Sequence, residues 1–134
     1  MIHEEITGKI LEACFEVSSE LGIGYLESVY EKSLLIALRQ KGLKAENQIP
    51  LQVKFRGQNV GEYFVDILVE EKVLIELKVA SGLSKENFAQ TINYLKATDL
   101  DVGLLVNFGT PKIEYRRFIN KFNNNQIILK ETLK

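Results

Sequence analysis

The sequence predicts a single α/β domain over residues 1–134, with a central mixed β-sheet flanked by helices. Three observations carry that expectation. Apolar residues recur at helical spacing from Ile6 to Leu38. From Ile49 they alternate instead, which is the period of a half-buried strand. Val102 to Asn107 is a continuous apolar run, as in a strand covered on both faces.

Each element has its own signal. Ile6, Ile10, Cys14, Val17 and Leu21 share one face of a first helix, with Ala13 beside them. Gly22 and Gly24 interrupt it. A second helix carries Leu26, Val29, Tyr30, Leu34, Ala37 and Leu38 on one side, and Gly42 ends it. Ile49, Leu51, Val53 and Phe55 then alternate, and Pro50, which has no amide hydrogen, places the start of this strand at a sheet edge. Arg56-Gly57-Gln58-Asn59 is a turn. Strands follow from Gly61 to Val69 and from Lys72 to Val79, joined tightly near Glu70-Glu71. Ser84 caps a helix running to about Thr98. On that helix Phe88, Ile92 and Leu95 form the apolar face, and Gln90 and Tyr94 lie nearly opposite, on a face that would otherwise be plainly solvent-exposed. Phe108-Gly109-Thr110-Pro111 breaks the chain after the apolar run. Ile113 to Phe122 reads as a short helix and Gln126 to Leu129 as a last strand.

Composition narrows the function classes. Hydrophobic residues are 46% and charged residues 26% of the chain, ordinary values for a globular domain. A net charge of −1 argues against a strongly basic, indiscriminate nucleic-acid binder. The distribution is uneven: residues 1–31 hold seven Glu and one Lys, and the remainder is net basic. One side is therefore left for phosphate contact, or the acidic helix face is simply solvated. No apolar run approaches the ~20 residues that span a bilayer. The acidic start fits neither a secretory signal nor a transit peptide. The single cysteine, Cys14, excludes an intramolecular disulfide and a Cys-rich zinc site, and reads as core. The expected location is the reducing cytoplasm. His3, the only histidine, excludes a His-based triad and reads as a flexible terminal residue. Lys112, Arg116 and Arg117, with Lys121, form a basic cluster: candidate phosphate contacts, or an ordinary solvated face.

The stretch from Tyr63 to Lys78 carries the chemistry. Asp66 interrupts one apolar strand, and Glu76 and Lys78 interrupt the next. Such groups are costly to bury unless paired or bound to a cation. Glu76 and Lys78, two apart on a strand, face the same side. The hairpin register decides whether Asp66 joins them. An odd loop such as Glu70-Glu71-Lys72 sets Asp66 opposite Glu76, whereas a two-residue Glu70-Glu71 loop sets it opposite Ile75. If the faces agree, two carboxylates offer hard oxygen ligands to Mg²⁺ or Mn²⁺, with an ammonium beside them for phosphodiester hydrolysis. The plainer alternative is an internal ion pair of Lys78 with Glu76 or Asp66. Glu27 and Tyr30, three apart, are neighbours on the second helix. Glu27 is either a third metal-site carboxylate or a favourable acidic group in a first helical turn.

Taken together these residues resemble a known family. Asp66 followed by Glu76-Leu77-Lys78 resembles the D…(D/E)xK signature of the PD-(D/E)XK nuclease superfamily. Gln90-xxx-Tyr94 resembles the QxxxY motif of its RecB-like exonuclease branch. Gly24-xx-Glu27-xx-Tyr30 is similar to the signature of the GxxExxY protein family, a compact group within that superfamily. The resemblance runs from about residue 5 to residue 120. It implies Asp66 and Glu76 as metal ligands, Glu27 as an additional acidic ligand, and Lys78 as the catalytic lysine. Gln90 and Tyr94 would place the substrate or that lysine. The proline of the superfamily's name is absent, since Val65 precedes Asp66.

The function expected on this basis is a Mg²⁺- or Mn²⁺-dependent nuclease acting on DNA, with a homodimer in keeping with the superfamily. Two alternatives stand beside it. One is a nucleic-acid- or protein-binding module on the same fold with weak or no catalysis. The other is a structural or oligomerising α/β domain whose Asp66 and Lys78 form an ion pair.

Overall fold

The computed structural model describes residues 2–121 and 126–129, with residues 121 and 126–129 described by backbone alone. Two helices come first, α1 (Glu4–Leu21) and α2 (Glu27–Gln40). Strands β1 (Ala45–Phe55), β2 (Gln58–Val69) and β3 (Val73–Lys78) follow. Helix α3 (Lys85–Thr98) then leads to β4 (Val102–Asn107), β5 (Glu114–Lys121) and β6 (Gln126–Leu129). The six strands form one sheet in sequence order. All neighbours are antiparallel except β3 and β4, which are parallel and joined through α3. The expected mixed sheet with helices on both faces is therefore present.

Each face of the sheet has its own core. Ile10, Cys14 and Val17 of α1 and Tyr30, Leu34 and Leu38 of α2 bury their apolar stripes against Ile75, Leu77, Leu104 and Val106. On the opposite face, Tyr94 and Leu95 of α3 pack with Leu74, Leu105 and Phe118. Cys14 is fully buried, and burial pushes its thiol up to about 12, so it is a core residue, as its spacing implied. Ser84 caps α3 as expected: its hydroxyl accepts the Asn87 amide at 3.1 Å, and Asn87 Oδ1 accepts the Ser84 amide at 3.0 Å.

Three expectations change. The segment read as a helix from Ile113 is the strand β5 over its described part, with Phe122 outside the described residues. Its Ile, Tyr and Phe side chains suit either state, and the open edge of β4 decides between them by pairing Val102–Asn107 with Ile119–Glu114. The face of α3 bearing Gln90 and Tyr94 is not solvent-exposed, because Tyr94 is buried and Gln90 half-buried, whereas Phe88 and Ile92 are only partly covered. His3, the residue before α1, is not a loose end: its Nε2 lies 3.2 Å from the Asp101 carboxylate.

The β1–β2 hairpin fixes the geometry of the site. Arg56 and Gly57, both at positive φ (50° and 79°), close it as a two-residue turn. β1 and β2 stay paired from Ala45–Val69 to Phe55–Gln58, whereas β3 joins β2 only at residues 67–69. Beyond Asp66 the hairpin therefore projects past β3 as a two-stranded ribbon. The ribbon also turns over at this point. Ala45 and Ile67 belong to the core under α1 and α2, but Leu51 and Val65, of the same strand parity, belong to the core under α3. The change of face falls at Gln48, whose φ of 52° is unusual for a non-glycine residue; it and Asp66 fall between the Asn47–Ile67 and Ile49–Val65 pairs, at a gap in the ladder.

Candidate active site

The register resolves in favour of the shared carboxylate face. Ile67–Ile75, Leu68–Leu74 and Val69–Val73 are partners, so the loop is Glu70-Glu71-Lys72 and Asp66 lies across from Glu76. The backbones have begun to part there, and the side chains bridge the gap. The Asp66 amide donates to Glu76 Oε2 at 2.9 Å, and the Leu77 amide donates to Asp66 Oδ2 at 2.8 Å. The strand split is thus held together by its two acidic residues.

Helix α2 brings Glu27 to the same place, and the turn before it explains how. Gly24 sits at φ 114°, a conformation that L side chains rarely adopt. The Tyr30 hydroxyl donates to the Gly22 carbonyl at 2.6 Å and accepts from the Tyr25 amide at 3.4 Å. The Tyr30 ring is fully buried and stacks on Phe108, with centroids 5.1 Å apart. Gly24 and Tyr30 therefore fix where α2 starts, and Glu27 is its first residue.

The electrostatics show the crowding. Burial raises the carboxyl of Glu76 to about 8, Asp66 adds to the rise, and the Asp66 amide and Lys78 oppose it. Asp66 is raised by burial, against the opposing pull of the Leu77 amide. Glu27 stays exposed, yet the surrounding protein and the charge of Asp66 raise it, and Lys78 lowers it. Lys78, at the end of β3, is the cation common to all three. Among the described residues it makes no ion pair closer than 4.0 Å, so the simple internal salt bridge is not what the structure shows. Asn107, fully buried beside Lys78 in the β3–β4 register, clamps the chain after it by bonding both backbone groups of Ala80 at 3.0 Å.

Helix α3 covers the site from the other face. By strand alternation Glu76 shares the side of Leu74, where Tyr94 packs. Burial raises the Tyr94 phenol, and the nearby Glu76 carboxylate adds to this. Gln90 Nε2 donates to the Tyr94 hydroxyl at 3.2 Å.

The basic cluster does not survive as one surface. Strand alternation sends neighbouring side chains to opposite faces, so Arg116 and Arg117 part. Arg117 is buried, donates to Thr7 Oγ1 at 3.0 Å and to the Ile2 carbonyl, and ties β5 to α1. Arg116 lies 5.5 Å over the Phe88 ring. Lys112 is exposed, and the Lys121 side chain lies outside the described residues. Arg117 is thereby corrected from a phosphate contact to a structural tie.

Two residues at the site escaped the sequence reading. Glu31 is 9% exposed and accepts from Asn47 Nδ2 at 3.1 Å and Gln48 Nε2 at 2.7 Å. Its signal was its spacing, four residues after Glu27 on one helix face. Gln48 also reaches Asp66 Oδ1 at 3.4 Å, and no local sequence pattern marks its positive φ.

The donor set suits a divalent cation by chemistry: carboxylate oxygens held where burial, and then the charge of neighbouring carboxylates, favours a bound proton over a bare negative charge. As placed, however, no three of these groups among the described residues close on one point to hold a metal ion.

The fold and site together define an α/β domain with a mixed sheet and with acidic residues and a lysine at a strand split. The chain belongs to the PD-(D/E)XK nuclease superfamily, whose family model matches residues 4–118. No curated protein and no solved structure matches it. Among the described residues, no helix is long and apolar enough to cross a membrane.

Proposed function

We propose that this chain is a metal-dependent nuclease-like enzyme of the GxxExxY group that hydrolyses DNA phosphodiester bonds. The observation that carries the reading is the bracing of Asp66 and Glu76 across the point where β2 leaves β3, with Glu27 and Lys78 close enough for their charges to act on it. Asp66 and Glu76, with Glu27, would hold Mg²⁺ or Mn²⁺. Such an ion supplies Lewis-acid charge for the scissile phosphate. Lys78 then orients the attacking water and steadies the charge that grows on the phosphate oxygens. Gln90 and Tyr94 line the approach to it. Glu27, exposed and first in its helix, is the ligand free to swing inward.

The test is cleavage of labelled single- and double-stranded DNA with Mg²⁺ or Mn²⁺ by wild type, Asp66→Ala and Glu76→Ala. Each variant should be slower by at least ~100-fold, the loss expected when several kcal/mol of transition-state stabilisation disappears. Undiminished cleavage by either folded variant overturns the assignment.

One observation favours a second reading. Asp66 and Glu76 each commit an oxygen to a backbone amide. A binding module on this fold, with weak or no catalysis, would keep that bracing without hydrolysis. Metal-insensitive, salt-sensitive DNA binding is its signature.

A further inference from the structure

We propose that the groove between the β1–β2 hairpin and α3 binds an unpaired nucleic-acid strand, with Tyr63 as its stacking platform. The inference deepens the nuclease-like reading and rests on it.

The projecting hairpin and the outer face of α3 enclose about 920 Å³. None of the four acidic-site residues lines this hollow, but Gln90 and Tyr94 stand in its wall, and Tyr94 packs on Leu74, on the side of the sheet that carries Glu76. Tyr63 lines it while remaining 47% exposed. The ring does not swing freely. Its centroid lies 5.9 Å from that of Tyr94. The ring also crosses Gly61, where an added Cβ would stand 3.1 Å from Tyr63 Cε2. Gly61 thus leaves the ring its place, and the half-exposed ring is held ready for a partner.

The rest of the wall suits a nucleotide. Lys54 on the hairpin and Lys96 on α3 are exposed cations on opposite sides, against one carboxylate, Glu86. Gln52 and Asn93 bring amides, which both donate and accept, as base edges require. Bases inside a duplex are stacked on one another and offer no face to an aromatic side chain, whereas unpaired bases do. The groove wall itself offers two cations against one carboxylate, too few for the many phosphate contacts of duplex binding. Stacking with a few phosphate contacts is the mode left to it. Tyr94 joins this groove to the side of β3 that carries Glu76, since it packs with Leu74 two residues away on the same strand face.

The test is fluorescence anisotropy in EDTA, where hydrolysis plays no part. The probes are fluorescein-labelled oligothymidine and oligouridine of about 12 nucleotides, and a duplex of equal length. Wild type should bind one of the single strands at least ~10-fold more tightly than the duplex, and the preferred sugar identifies DNA or RNA. Tyr63→Ala should weaken that binding by about 10-fold, the scale of one lost base–aromatic stack, and Tyr63→Phe should restore it. Independently, Lys54→Gln with Lys96→Gln should flatten the slope of log affinity against log salt by about 1.4. Duplex bound as tightly as single strand, or wild-type binding in the folded Tyr63→Ala variant, overturns the groove. Tyr63-dependent binding without cleavage in Mg²⁺ or Mn²⁺ would instead sink hydrolysis and leave the groove standing.

Discussion

The two faces of the sheet are packed for different ends. The face under α1 and α2 is a continuous apolar core in which Leu34, Leu38, Ile75, Leu77 and Leu104 are fully buried. The face under α3 is smaller, and it admits Glu76 at 3% exposure beside Tyr94. One face gathers stability. The other gives some of it up, because a carboxyl raised to about 8 is one that folding has made harder to ionise. Function is cheapest to build where a second, larger core can carry the loss.

The largest effect should come from the helix-pair face. Leu104→Ala opens a cavity in a fully buried central strand and should cost about 4 kcal/mol in a denaturant titration. A cost under ~1 kcal/mol would mean that this face is not the main store of stability.

The opposite sign is expected under α3. Folded Glu76 holds its proton more tightly than the unfolded value of 4.5, so the native state loses stability as pH climbs from that value toward 8. Glu76→Gln keeps an acceptor for the Asp66 amide and removes the ionisation. It should match wild type near pH 4 and exceed it by on the order of 3 kcal/mol above pH 8. Stability that is equal at both pH values would show that Glu76 ionises freely.

A smaller change probes the turn that delivers Glu27. Tyr30→Phe keeps the ring on Phe108 but removes the donor to the Gly22 carbonyl. The expected loss is about 1 kcal/mol, read as a lower Tm. A Tm within error of wild type would leave the hydroxyl without a structural role.

Much of this was legible in the sequence because it rests on periodicity. Both N-terminal helices, the edge strand bearing Pro50, the Ser84 cap and the buried β4 follow from spacing and residue type. Asp66, Glu76 and Lys78 stood out because charge interrupts an apolar strand only at a cost. Their meeting was not legible, since Glu70-Glu71-Lys72 suits a two- or a three-residue loop equally. β5 was misread because its state is set by the edge of β4 rather than by its own residues. The helical wheel left open whether the face of Gln90 and Tyr94 was solvated, because it does not show that the sheet residues Leu74 and Leu105 and the hairpin residues Leu51 and Val65 all reach Tyr94's cluster. The split basic cluster follows from the same error at β5. Glu31 was recoverable from its spacing to Glu27.

The proposed function depends on the acids at the strand split forming a metal site. A thermal melt of wild type and of Asp66→Ala/Glu76→Ala, in EDTA and in millimolar Mg²⁺ or Mn²⁺, tests it directly. A ligand that binds only the folded state must raise Tm, by the equivalent of ~2.7 kcal/mol at one hundred times its Kd. A metal site at these acids requires a rise in wild type that vanishes in the variant. No rise in wild type, or an equal rise in both proteins, would contradict it.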